Sequence, residues 1–458
     1  MNITYLITAI GGADCVIFPK PMRQILLYAV IVPLVLAILR NPFAGILAYT
    51  GINIVRPEML FWGGAQGCLL HKLVFISLAV SYLVNRGEKF LKLLCYREVL
   101  LLFWMCFAVV ISLNLSEYPL HQRAYYYAME LCKLALFGTL LAGVLLTEKR
   151  ILIYERFYLG LFSFLALWGI DQHFRGNVRL EDIGDFDSNG LAAILVLALP
   201  LGLNLAISGA SKLEKYLGVA STITLVLAVI FTQSRGGLLG MAVCMLVLFL
   251  RSQSKKKFLM VGAVTAALVI PFLTESYVSR MSTISSDRED LDYSAASRIV
   301  LWQAGLMLFK DNPVFGAGLL TFPIAVPQYK DRFGDDDPDL IKYTFNGTKV
   351  SHSTYVQMLS EGGLFLFIPY LWLILGTLAD NRRTRATTRT QDDDRLIGLL
   401  NSIEAGIWGF CFSTIFINSL TMIFLPIQVI VSRMIRERIL AMAQAENSKS
   451  APLKEAVP

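Results

Sequence analysis

Residues 350–376 read VSHSTYVQMLSEGGLFLFIPYLWLILG, and the stretch changes its preferred solvent halfway along. A span placed at 358–378 has close to the ~20 residues that a helix needs to cross a bilayer. Just ahead of it stands His352, one of only four histidines in 458 residues. A transmembrane helix with a titratable group at its mouth is the reading, and the rest of the chain is judged against it.

The same hydropathy recurs from end to end. The chain is 55% hydrophobic and 16% charged, with a mean hydropathy of +0.59, whereas soluble domains are about a quarter charged. Apolar runs predict spans near 24–39, 42–56, 67–84, 98–114, 124–146, 151–170, 190–208, 216–232, 236–250, 258–273, 358–378, 398–418 and 421–435. The expectation is an all-α, polytopic integral membrane protein of about 12–13 transmembrane helices. The opening MNITYLITAIGGADCVIF reads as a short leader or an extra span, and Met22 as an alternative start.

Basic residues collect in every second loop: NRGEKFLKLLCYR, TEKR, SKLEK, RSQSKKK, NRRTRATTR and the tail. The positive-inside rule makes these loops cytoplasmic, so the net charge of +7 reflects orientation and gives no reason to expect nucleic acid. The seven cysteines lie singly in or beside apolar runs and read as small buried hydrophobes. No internal repeat is visible, which argues against an inverted-repeat transporter.

Of the outward loops, only the one from about Thr274 to Tyr355 is long. It contains SAASRIVLWQAGLMLFKDNP, with Ile299, Leu301, Trp302, Leu306 and Phe309 at helical spacing and Asn312-Pro313 as a stop. The chain therefore divides into N-terminal membrane helices (1–273), a helical cap between two spans (274–357), C-terminal membrane helices (358–435) and a cytoplasmic tail (436–458).

Candidate chemistry gathers on the outward side. His352, with an ordinary pKa near ~6.5, suits proton acceptance at neutral pH; Ser351, Ser353 and Tyr355 flank it, and Glu361 is spaced to share a helix face. The alternative is an interfacial residue or helix cap. Arg235 sits in the tight turn TQSRGG between two spans, where an ionised group usually has a functional partner, snorkelling being the plainer account. Arg298 opens the cap helix one turn before Trp302, with the acids at 287–292 as alternative partners. Arg123 lies beside three tyrosines. Several arginines at one membrane face with a histidine nearby describe a site for a lipid-linked phosphate or diphosphate.

Two metal-like stretches are set aside. DFDSNG at 185–190 begins like a calcium loop, but Val196 stands where the closing glutamate belongs. Asp187 or Ser188 is better read as the N-cap of the next span. Asp335, Asp336 and Asp337 read as a solvated acidic loop, and no metal or other cofactor is expected.

SHSTYVQMLSEGGLFLF resembles the signature of the O-antigen ligase and polymerase superfamily: His, then Asn or Ser, nine residues, and Gly. TQSRGGLLG is similar to its Ser-Arg-Gly turn, SRIVLWQAGLMLFKDNPVFGAGLLTFP to its Arg-Trp cap helix with a Gly-x-Gly turn, and DFDSNGLAAILVLALP to its Asp/Asn-rich span entry. The N-terminal run from Met22 resembles the branch of exosortase-associated O-glycosylation ligases. Leu366 stands where the family has a further glycine.

The resemblance implies a GT-C-like glycosyltransferase with its active site on the periplasmic face of the inner membrane. Its donor would be a glycan on undecaprenyl diphosphate. The acceptor would be a hydroxyl of lipid A core, another glycan or a secreted protein, with membrane lipids around the site. By position, His352 would take the acceptor's proton, while Arg235 and Arg298 would hold the diphosphate. Arg123, Arg175, Arg179, Trp302, Tyr355 and Asn189 are expected around the substrate.

Overall fold

The computed structural model describes residues 20–57, 70–87, 90–119, 123–181, 183, 186–252, 254–272, 293–334, 337–347, 349–387, 394–420 and 422–450. The N-terminal 19 residues, all the acids at 287–292 before the cap helix, and Asp335 and Asp336 lie outside these. Among the described residues there is no β-strand, only an isolated bridge between Ile183 and Phe186.

The helices run in this order: α1 (Lys20–Arg40), α2 (Pro42–Val55), α3 (Leu70–Arg86), α4 (Phe90–Leu94), α5 (Arg97–Leu115), α6 (Ala124–Val144), α7 (Glu148–Phe174), α8 (Ser188–Ser208), α9 (Lys212–Phe231), α10 (Arg235–Arg251), α11 (Lys255–Val269), α12 (Tyr293–Asp311), α13 (Phe322–Ala325), α14 (Pro338–Phe345), α15 (Thr354–Thr387), α16 (Asp394–Ser413) and α17 (Phe424–Ser450). Every predicted span falls on a helix. Seven of the helices are long and apolar enough to cross a membrane, and α1, α2 and α3 supply shorter apolar segments. The chain is an all-α polytopic membrane protein. α17 runs unbroken to Ser450, past the expected start of the tail at 436.

Caps written in the sequence set the helix starts. Thr147, Asp187, Ser211 and Ser234 each accept a hydrogen bond from the backbone NH three residues on, which satisfies one of the orphan donors of the first turn. α8 is the central post, buried from Gly190 to Leu203, and it packs on α9, α10 and α16. Gly240 of α10 faces Gly409 of α16, so those backbones approach more closely than a side chain on either would allow.

The basic-loop end of the bundle is pinned by shared carboxylates. Glu98, fully buried, receives Arg436 at 2.7 Å, Arg97 at 2.9 Å and Arg433 at 3.1 Å, joining α5 to α17. Glu404 on α16 receives Arg385 at 2.6 Å and Arg251 at 3.0 Å. Pairing of this kind offsets the cost of burying a charged carboxylate.

At the other end the cap has its own small core of Val300, Leu301, Ala304, Leu308, Phe322, Val326, Tyr329, Phe333 and Ile341. This corrects the sequence reading of the cap helix. The buried stripe of α12 is Val300, Leu301, Ala304 and Leu308, while Leu306 is exposed. α12 begins at Tyr293, so Arg298 lies in its second turn rather than at its start.

The cap is stitched to a break in α15. Gly363 has φ 63° and ψ −167°, which interrupts the helix. The carbonyls freed there, of Ser360 and Glu361, accept from the NH groups of Ala317 (2.8 Å) and Gly318 (3.0 Å). The freed NH groups of Leu364 and Phe365 donate to the carbonyls of Pro313 (2.9 Å) and Val314 (3.0 Å). The FGAGLL turn thus acts as a strand laid across an open helix, so no polar backbone is stranded in an apolar setting.

Candidate functional site

His352 sits in the loop that enters α15, not on the helix. Its backbone is left-handed (φ 49°), a conformation uncommon outside glycine, in which His is one of the enriched residues. It therefore does not share a helix face with Glu361, as the spacing had suggested. The loop is held on both sides. The Ser351 hydroxyl donates to Asn418 Oδ1 at 3.0 Å and accepts from the Ser353 NH at 3.3 Å, and the Ser351 carbonyl accepts from Trp302 Nε1 at 2.9 Å. On the far side, the Thr354 hydroxyl donates to the Ile417 carbonyl at 2.7 Å.

Trp302 reaches that loop from α12, and its ring lies 6.2 Å from Phe416. Phe416 is also the neighbour against which Gly236 packs, at the start of α10. The cap helix, the loop of His352, the α16–α17 connection and the α10 entry thus meet at one place.

The α10 entry is itself fixed. Gln233 is left-handed (φ 51°) and closes the turn, and the Ser234 hydroxyl donates to Asn189 Oδ1 at 2.8 Å. Asn189 is thereby tied to the turn that carries Arg235. Asp187 caps α8 beside it.

The electrostatics of His352 follow from this gathering. Burial lowers its pKa below the ordinary 6.5, and the positive charge of Arg298 lowers it further; Asp187 pulls the other way less strongly than Arg298, and Lys349 adds the smallest lowering. At neutral pH the imidazole is uncharged and can accept a proton.

Glu361 is buried two residues before the break. Its Oε1 accepts from the Phe322 NH at 3.1 Å and its Oε2 from Gln357 Nε2 at 3.0 Å. It ties the cap to α15, and its reach is to the cap core rather than to His352.

Of the other expected residues, Arg175 pairs with Asp171 at 2.7 Å; Arg179 pairs with Glu181 at 3.1 Å, and its Nε donates to the Thr232 carbonyl at 3.4 Å, in the turn that carries Arg235. Arg123 is exposed at the start of α6, a helix that packs mainly on α5 and α17. The Tyr355 hydroxyl is committed to the Cys411 carbonyl at 2.7 Å. Sequence reasoning passed over Phe416, Asn418 and Lys349. The polar pair Asn418-Ser419 between two apolar runs was the available signal for the connection that holds the first two. Among the described residues no three His, Cys, Asp or Glu side chains gather as a metal-binding group.

Comparison with known families matches two segments of the chain. Residues 22–207 match a family of unknown function, DUF5935, and residues 220–371 match the family described as O-antigen ligase. No curated protein matches the chain. The first matched segment contributes Asn189 and Asp187 to the site, and the second contributes Arg235, Arg298, Trp302 and His352. Residues 220–371, with the histidine, the arginine turn and the cap that they hold together, are the part of the chain that is similar to the O-antigen ligase superfamily.

Proposed function

We propose that the protein is a membrane glycosyltransferase that moves a glycan en bloc from undecaprenyl diphosphate to an acceptor hydroxyl on the periplasmic face of the bacterial inner membrane. One observation carries the reading. Within the O-antigen ligase segment, a histidine kept neutral by burial and by Arg298 stands at the meeting point of the cap and the α10 entry that bears Arg235.

In the reaction, the acceptor oxygen attacks the anomeric carbon, its proton passes to His352, and the bond from that carbon to the diphosphate oxygen breaks. The electron pair leaves with the diphosphate. Arg298 and Arg235 would stabilise the negative charge that develops there. A glycosyl diphosphate already has a good leaving group, so a base and two cations suffice and the transfer is metal-independent. The cap would exclude water, which otherwise competes with the acceptor.

The resemblance of the N-terminal run to the exosortase-associated branch supports a single transfer, to lipid A core or to a secreted protein. The same residues would serve a polymerase that joins repeat units. Product length separates the two: purified protein with lipid-linked oligosaccharide and chelator should give one discrete product, and a ladder of growing lipid-linked glycans would make it a polymerase. Loss of transfer in chelator would sink the metal-independent mechanism. A transporter of lipid-linked oligosaccharide would want charged or polar groups across the mid-membrane; of the two candidates, Glu130 pairs with Lys133 at 2.6 Å and Glu404 with two arginines.

A further inference from the structure

α10 and α11 follow one another in sequence but are splayed, and α11 packs instead on α9 and α8. Two cavities occupy the wedge. The lower, of about 240 Å³, opens at the basic-loop end and is lined by Asn204, Arg251, Ser252, Ser254, Lys257 and Asn401, with Leu248 and Phe258 at its inner edge. The upper, of about 370 Å³, is almost wholly apolar and is walled by Val226, Met241, Met245, Gly262, Thr265 and Ala266. Leu248 and Met245, and likewise Phe258 and Gly262, are one helical turn apart, so the second cavity begins where the first ends.

Among the described residues, the charge of the lower cavity is unbalanced. Arg251 and Arg385 share the single carboxylate of Glu404, which leaves one positive charge over, and Lys257 adds another. The Arg251 side chain is 40% exposed despite its ion pair, so its remaining nitrogens can still meet a ligand. Ser254 makes no capping bond at the start of α11. A phosphodiester, with one negative charge and acceptor oxygens, fits this lining. Met245 lies six residues from Arg251, about 9 Å along the helix, within the ~15 Å depth of one leaflet's hydrocarbon. A group bound at Arg251 could therefore extend a hydrocarbon chain into the upper cavity.

We infer that the wedge between α10 and α11 binds an anionic phospholipid of the leaflet facing the basic loops. Its phosphate lies at Arg251, Lys257 and Ser254, and one acyl chain fills the chamber walled by Met241, Met245 and Gly262. The site is separate from His352 and does not depend on the transfer reaction.

The test titrates delipidated full-length protein in detergent with phosphatidylglycerol, with phosphatidylcholine and with inorganic phosphate, reading bound species by native mass spectrometry. Wild type should hold one phosphatidylglycerol at least tenfold more tightly than phosphatidylcholine and should not bind inorganic phosphate in that range. Lys257→Glu should weaken phosphatidylglycerol at least tenfold. Gly262→Leu should also weaken it by filling the chamber, since a Cβ at Gly262 meets nothing within 4 Å and the variant should fold. Equal binding of the two lipids, indifference to both substitutions, or inorganic phosphate binding as tightly as the lipid would overturn the proposal. One-for-one displacement of phosphatidylglycerol by undecaprenyl phosphate would assign the chamber to the donor's tail instead, and would equally overturn it.

Discussion

Replacing Gly363 by alanine attacks the joint between α15 and the cap. The glycine's φ of 63° with ψ −167° falls in a region essentially closed to other residues, so alanine there costs about 1–3 kcal/mol in backbone strain alone. A Cβ would also press on the Val314 carbonyl and the Gly316 NH. To clear it, the Pro313–Gly318 strand must withdraw, which endangers the four hydrogen bonds it makes across the break. At roughly 0.5–1.5 kcal/mol each, these add about 2–6 kcal/mol. Gly262→Ala is the matched control: its Cβ has open space inside a helix, so it should stabilise by about 0.5–1 kcal/mol. Thermal unfolding of the two purified variants should move in opposite directions from wild type, with limited proteolysis of the cap accelerated only in Gly363→Ala. Equal melting temperatures for the two would refute the claim that the break is held by the cap strand.

Three further outcomes follow from the site. Because the His352 pKa lies below 6.5, transfer should rise with pH through a limb below that value and then level off; Arg298→Gln removes a charge that lowers it, so the limb in a pH–rate profile should move to higher pH. Glu361→Ala strands the Phe322 NH and should cost about 1–3 kcal/mol by thermal unfolding, whereas Glu361→Gln should stay near wild type, because Gln357 can turn its unpartnered Oε1 toward the new amide. Ser234→Ala removes both the α10 cap and the tie to Asn189, so stability should fall by about 1 kcal/mol and transfer should fall with it; transfer at the wild-type rate would show that the turn bearing Arg235 needs no such support.

The helices were legible because lipid crossing demands long apolar runs, and Asp187 and Ser234 write their own caps. The cap's existence was legible too, from Asn312-Pro313 and the two glycines of FGAGLL. The buried stripe of α12 was not, because Leu306 and Leu308 are equally apolar and only the fold of the cap decides which one faces inward. Nor was the break at Gly363. Two glycines in an apolar helix read equally well as close packing, and the strand that fills the gap lies about fifty residues earlier in the chain. His352 stood out because histidine is scarce here, with four in 458 residues, whereas Phe416 and Asn418 act through contacts that no local pattern announces.

The central claim is that His352 accepts the acceptor's proton. The most direct measurement is glycan transfer from undecaprenyl-diphosphate oligosaccharide by purified wild type and His352→Ala, offered lipid A core and a serine- and threonine-rich secreted peptide, with melting temperatures measured in parallel. His352→Ala should melt as wild type and still bind donor but transfer nothing to either acceptor. Transfer by a folded His352→Ala at near the wild-type rate would contradict it.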